Sequence, residues 1–295
     1  MSATALTQRV EAWRRRGQVR QFRGRSIHTL VLPGAGPLLV FMHGFPSSSY
    51  DFRLAIDQLA GRALLAFDFL GFGLSEKPRD HLYSLAWQAD LTEELVVRAG
   101  WRDPVVLVAH DMGTSVATEL MGRALLGEQR IEIAAALLFN GSILLSRARP
   151  TPAQRVLRSP LGPLAARFTS KRVFRHQLGS VFSPAHPLTD AEAQDQWALV
   201  CAGGGRTLGH KLVHYMDERE RLQERWHGAF RDWPGELRLL WGMLDPVATT
   251  AVLDGLRELR PATPVMELHD VGHYPQLEAP NRVAEAIELT GRAVG

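Results

Sequence analysis

The chain has 295 residues, of which 45% are hydrophobic and 22% charged, with a formal net charge of +3. That balance fits a globular protein with a real core, either one large domain or a domain carrying an insertion. So small a charge gives no reason to expect nucleic acid. A single cysteine, Cys201, excludes an internal disulfide framework and a cysteine-rich metal site. No apolar stretch is long enough to span a bilayer, and the N-terminal MSATALTQRVEAWRRRGQ has no apolar h-region. The expected location is cytoplasmic.

In chain order, QFRGRSIHTLVLP predicts a hairpin of two strands, and the apolar runs PLLVFMHG and ALLAFDFLGFG predict two more, each ending in glycine. SLAWQADLTEELVVRAG has helical spacing and a glycine stop at Gly100. PVVLVAHD predicts a buried strand, TSVATELMGRALLG a helix, and IEIAAALLFNG another strand. After a long interruption come ELRLLWGMLDP as strand, TTAVLDGLRELRP as helix, TPVMELHDVGH as strand and NRVAEAIELTGRAVG as helix.

Apolar runs alternating with helices predict an α/β fold, a mostly parallel sheet covered on both faces. Right-handed crossovers gather the strand C-termini at one edge, where such folds place their sites. The interruption, rich in Pro, Arg and Gln, predicts an inserted helical cap over 146–233, between core segments 1–145 and 234–295. Its helices are expected to be short until TLGHKLVHYMDERERLQERW.

Four polar motifs fall at the predicted strand ends. Ala109-His110-Asp111-Met112-Gly113 reads as a tight strand-to-helix elbow that holds the Asp111 side chain up at the head of the sheet. HGFP, at 43–46, places the Phe45 N–H opposite that of Met112, as an oxyanion hole requires. MLDP puts Asp245 after the interruption, and DVGHYP puts His273 after the last strand. Taken alone, Asp111 reads better as a helix cap, and Asp245-Pro246 has a rival reading as a turn and His273 as a surface turn histidine. Their joint occurrence at strand ends favours one site.

Nucleophile, acid, histidine is the chain order of the α/β-hydrolase fold, and from Phe22 onward the sequence resembles its epoxide hydrolase and haloalkane dehalogenase branch. HGFPSSSYDF, DFLGFGLSEKP, LDPV and HYPQLEAP resemble the subgroup of the mesoderm-specific transcript protein and its bacterial relatives. The resemblance implies an aspartate nucleophile, Asp111, that forms an alkyl-enzyme ester with a small apolar or amphipathic electrophile. His273, oriented by Asp245, then directs water at that ester, and no cofactor or metal takes part. Dehalogenases of the branch commonly carry side-chain donors for the halide where Met112 and Phe45 stand here, and neither residue has one. Epoxide hydrolases of the branch use two cap tyrosines as proton donors. Only Tyr215 matches by place, with His176 as a candidate substitute. The implied activity is epoxide hydrolysis; the alternatives are dehalogenation and a catalytically idle fold serving as a binding protein.

Other features have plainer readings. Tyr215 shares a helical face with Leu212, Leu222 and Trp226, as ordinary packing also requires. His210 and His214 lack the Glu of an H-E-x-x-H zinc site. DFLGFGLS reads as a structural turn, and His43 and His110 as supports for the loop and elbow. The basic runs WRRR and Arg147 to Arg175 read as solvated faces. The second run is also compatible with an anionic substrate or a membrane surface.

Overall fold

The structure is a computed structural model that describes residues 5–294. Its eight strands are β1 (Gln18–Phe22), β2 (Arg25–Leu32), β3 (Ala35–Met42), β4 (Arg62–Phe67), β5 (Val105–His110), β6 (Ile133–Phe139), β7 (Glu236–Gly242) and β8 (Val265–Leu268). They form one sheet in the order β1-β2-β4-β3-β5-β6-β7-β8. The β1/β2 and β2/β4 pairs are antiparallel, and the rest of the sheet is parallel. The hairpin turns at Arg23-Gly24, both with positive φ, as a tight two-residue turn requires.

Alternate side chains of the central strands feed two cores, which is why these strands read as unbroken apolar runs. Val40, Met42, Leu65, Phe67, Leu107 and Ala109 enter one core, while Leu39, Phe41, Leu64, Ala66, Val106 and Val108 enter the other. On the first face lie α3 (Leu85–Arg98), α4 (Met112–Leu126), α11 (Gln223–Asp232) and α12 (Thr250–Leu259). On the second lie α1 (Gln8–Arg16), α2 (Arg53–Ile56) and α14 (Pro280–Arg292), with the single turn α13 (Pro275–Glu278) leading into the last.

The inserted segment contains α5 (Pro152–Arg158), α6 (Gly162–Phe168), α7 (Lys171–Gly179), α8 (Asp190–Cys201), α9 (Gly209–Leu212) and α10 (Tyr215–Arg221). Three expectations change here. The helix α8 is longer than the short pieces predicted before Thr207. The continuous helix expected over TLGHKLVHYMDERERLQERW is broken after Leu212 and again at Leu222, whose φ of −105° and ψ of 13° are not helical. The breaks turn α10 toward the sheet edge while α11 packs along α4. That makes α11 the crossover helix between β6 and β7, with Trp226 fully buried, so the insertion over the sheet edge stops short of 233. Asp232 and Trp233 belong with the core helix.

The basic N-terminal run is also more than a solvated face. In α1, Val10 and Trp13 are buried while Arg14 and Arg16 pair with Glu11 and Asp57. The buried Asp195 of α8 ties three parts of the chain together, accepting from Arg9 Nε at 2.6 Å, Tyr50 Oη at 2.8 Å and Thr7 Oγ1.

Close approach governs the small residue after the elbow. A Cβ on Gly113 would stand 2.3 Å from the carbonyl oxygen of Met42, so α4 could not start this near the end of β3. Gly113→Ala is therefore expected to lower stability by about 1–3 kcal/mol, read as the midpoint of thermal or denaturant unfolding. An unchanged midpoint would mean that α4 moves away freely.

Candidate active site

Asp111 stands between β5 and α4 with φ 45° and ψ −110°, outside the regions L-residues prefer. Such backbone persists only where its surroundings over-determine it. Here the Asp111 N–H bonds the Phe139 carbonyl at 3.3 Å, and the Asp111 carbonyl accepts from Thr114 N and Thr114 Oγ1 at 3.1 and 2.6 Å. The residue is 2% exposed. Its Oδ2 accepts the Phe45 N–H at 3.0 Å, where an oxyanion hole is expected, and Met112 opens α4 directly behind it. Gly44 permits this approach, since a Cβ there would lie 2.8 Å from that of Asp111.

His273 and Asp245 meet, with Nδ1 donating to Oδ2 at 2.7 Å. Asp245 is held from three sides. Its Oδ1 accepts the N–H groups of Val247 and Ala248 at 2.7 and 3.0 Å, and its Oδ2 also takes Asn140 Nδ2 at 2.7 Å. Asn140 is fixed in turn by the Gly242 N–H at 2.9 Å. It cannot supply the charge, but it orients the group that does.

His110 and His43 are supports, as expected. His110 Nε2 donates to the His273 carbonyl at 2.7 Å while Nδ1 accepts from Gln276 at 3.0 Å. Burial pushes His110 down to about 3, so it stays neutral. His43 Nε2 accepts the Phe69 N–H at 3.0 Å, and burial lowers its pKa as well. The turn Asp68–Ser75 is structural: the buried Asp68 accepts Ser49 N at 2.8 Å, Ser49 Oγ at 2.6 Å and Leu74 N at 2.6 Å.

Besides His273, Tyr274, Gln276 and Glu278 of HYPQLEAP hold the loop that carries it. Tyr274 stacks on Phe182 at 5.3 Å. Glu278 gathers the N–H groups of Gly272, Tyr274 and Ser183 at 2.8, 3.0 and 2.9 Å. The last of these belongs to the inserted segment, so one buried carboxylate pins the histidine loop to the helices above it.

A residue that sequence reading passed over lies beside Asp111. Arg219 of α10 is 2% exposed, and its Nη2 donates to the Asp111 carbonyl at 2.9 Å and sits 3.5 Å from Oδ1. Its Nε donates to Ser115 Oγ at 2.8 Å, and its guanidinium lies 4.7 Å from the centre of the Tyr215 ring. Sequence spacing does put Arg219 one helical turn after Tyr215 and so on its face, but it does not place that face beside Asp111.

Charge sets the ionisation of the pair. Burial by itself would raise the Asp111 carboxyl, but Arg219 first, then His273, hold it below the usual carboxylate value. Burial also opposes the His273 imidazolium, yet the Asp245 and Asp111 carboxylates outweigh it and raise His273 to about 9.

Beside His273 lies a cavity with about 980 Å³ of empty space, counting the solvent at its open mouth. Phe45, Phe72, Leu157, Phe174, Leu178 and Leu212 make its walls mostly apolar, and His273 faces into it. Tyr215 stands behind the wall with its ring 5.7 Å from that of Phe45, and its hydroxyl accepts Gln154 Nε2 at 3.2 Å. Burial raises its phenol, which keeps the proton on. His176 is not brought to the site. It is exposed on α7, where Phe174 and Leu178 turn inward instead, so its candidacy as a proton donor is withdrawn.

Fold and site geometry together define an α/β hydrolase. The chain belongs to the α/β hydrolase family, whose sequence profile matches residues 39–286. It is 55% identical over 254 residues to LipZ of Mycobacterium tuberculosis, a hydrolase by name, covering 86% of this chain and 88% of that one. It is 33% identical to the mouse mesoderm-specific transcript protein over 93% of this chain and 85% of the relative, in keeping with the subgroup its motifs resemble. Among solved structures, haloalkane dehalogenase DatA from Agrobacterium tumefaciens shares the fold at a TM-score of 0.78. At 21% identity, the match covers 95% and 97% of the two chains.

Two outcomes test this electrostatic description. In Asp111→Asn one of the carboxylates that raise His273 is gone, so its titration, followed by NMR of the imidazole, should fall from about 9 toward the ordinary histidine value. An unmoved titration would mean that Asp245 alone sets it. Arg219→Leu leaves the Asp111 carboxylate buried without its guanidinium, which should cost about 3–5 kcal/mol in denaturant unfolding. A cost below about 1 kcal/mol would remove Arg219 from the charge balance.

Proposed function

We propose that the protein hydrolyses an epoxide to a diol through a covalent ester on Asp111, with the helices between Thr151 and Arg221 acting as the cap over the substrate. The observation that carries this reading is a carboxylate at the elbow, where its Oδ2 already rests on the Phe45 N–H while a His273–Asp245 pair stands beside it.

In the first step Asp111 Oδ1 attacks a ring carbon, the C–O bond of the epoxide breaks, and the departing oxygen takes a proton. Tyr215 is the donor from the cap, its phenol kept protonated by burial and held by Gln154. Ester formation removes the charge of Asp111, one of the carboxylates that hold the proton on His273, so the imidazolium gives that proton up to restore the Tyr215 phenol and is left as a base. In the second step His273 takes a proton from water, and the hydroxide attacks Cγ of Asp111. The negative charge that develops on Oδ2 is stabilised by the Phe45 N–H. Collapse expels the diol oxygen, which is protonated from His273; the proton on the new carboxyl group then passes to His273, and Asp111 returns to its carboxylate beside Arg219.

The apolar walls favour an apolar or amphipathic epoxide. Halide departure is less well served. The side chains at Met112 and Phe45 cannot donate, and no tryptophan is among the described residues lining the cavity.

Mass spectrometry of intact His273→Gln protein incubated with panels of epoxides and haloalkanes distinguishes the readings. The expected result is an adduct with the mass of the whole epoxide, absent from the double variant that also carries Asp111→Asn. An adduct lacking the halogen would assign a dehalogenase. No adduct from either panel would favour a binding protein on a hydrolase fold.

A further inference from the structure

The roof of the cavity has an outer face that the proposed chemistry does not use. Thirteen large apolar side chains are exposed among the described residues, and five of them lie within 18 residues of α5–α7: Val156, Leu161, Leu164, Phe168 and Val173. Leu161, Leu164 and Phe168, at 64%, 56% and 73% exposure, follow one another at helical spacing and form one stripe along α6. The opposite side of that helix turns Gly162 and Ala166 inward, and Ala166 lines the cavity. So α6 is apolar on both faces, and only the inner one is covered.

Positive charge surrounds the stripe. No Asp or Glu occurs in the sequence between Glu132 and Asp190, while Arg and Lys recur throughout the stretch. Arg147, Arg158 and Arg175 are engaged with carboxylates from elsewhere in the chain. Arg155, Arg167, Lys171 and Arg172 are exposed and have no carboxylate in ion-pair range among the described residues. Exposed apolar side chains interleaved with free cations are the two components of an interfacial membrane contact, since the first insert below the headgroups and the second meet anionic lipid.

The place of the patch matters as much as its composition. Thr169, directly after Phe168, and Gln177 of α7 both line the cavity while keeping exposure to solvent, so the cavity reaches the surface beside the stripe. We propose that the outer face of α5–α7 docks on an anionic phospholipid bilayer, which sets the cavity mouth against the membrane and lets an apolar substrate enter from it. The proposal rests on exposure, charge and placement, and it stands whatever reaction Asp111 performs. No described helix is long and apolar enough to cross a membrane, so the contact is peripheral.

The test is flotation of the full chain with vesicles of phosphatidylcholine alone and with about one-third phosphatidylglycerol. The expected result is recovery with the anionic vesicles only, reduced about tenfold on raising the salt from about 0.1 M to about 0.5 M. Leu164→Ser with Phe168→Ser, and separately Arg167→Glu with Lys171→Glu and Arg172→Glu, should each abolish recovery. These side chains are on the surface, so unchanged circular dichroism and unfolding midpoints are expected and show that the loss is local. Wild-type protein that stays with the buffer, or variants that float as well as wild type, would overturn the proposal. So would concentration-dependent dimers in sedimentation velocity that the Leu164/Phe168 variant abolishes, because they would assign the face to a second copy of the chain. Selective capture by an acidic polypeptide in place of vesicles would overturn it too.

Discussion

A carboxylate buried at the head of a parallel sheet is stable as an anion only if positive charge and hydrogen-bond donors surround it, and the architecture around Asp111 follows from that requirement. The elbow aims the side chain away from solvent at 2% exposure. The Phe45 N–H, the buried guanidinium of Arg219 and the imidazolium of His273 then offset the cost of burial. Each comes from a different part of the chain: the loop after β3, the inserted segment and the loop after β8. The ion is therefore a point on which the core and the insertion converge.

The same charge balance links binding to chemistry. With Asp111 ionised, His273 holds its proton through the carboxylates of Asp245, Asp111 and Glu278; when that of Asp111 is neutralised, the hold weakens. In the proposed cycle this times the base to the step that needs it without any movement of the backbone. Arg219 works in the other direction, since a guanidinium beside Asp111 favours return to the carboxylate over persistence as a neutral ester. A buried ion pair of this kind contributes little net stability, so in the proposed cycle Arg219 fits a role in directing the reaction better than one in folding.

The insertion does three things with one set of helices. Its far end, α10, delivers Arg219 and Tyr215 to the sheet edge. Its middle, α8, is pinned to the N-terminal helix and to Tyr50 through Asp195. Its near end, α5–α7, roofs the cavity with one face and leaves apolar and basic groups on the other. The near end is tied by few ions to the core, whereas Glu278 locks the segment just beyond it to the His273 loop.

Much of this was legible in the chain itself. The central strands are apolar runs because both faces of the sheet are covered, and period alone locates them. The elbow announces itself because a strained strand-to-helix turn demands small neighbours around Asp111, a constraint that acts within a few residues. Asp245 and His273 stand out because turn-forming residues mark the strand ends that carry them. What sequence could not supply was contact between distant pieces. The break at Leu222, the reassignment of α11 to the core, the outward facing of His176 and the approach of Arg219 to Asp111 all depend on how the insertion lies over the sheet edge. Nothing local dictates that. A helix of mixed polarity has no face until a partner surface chooses one, and only the folded chain brings that surface to it.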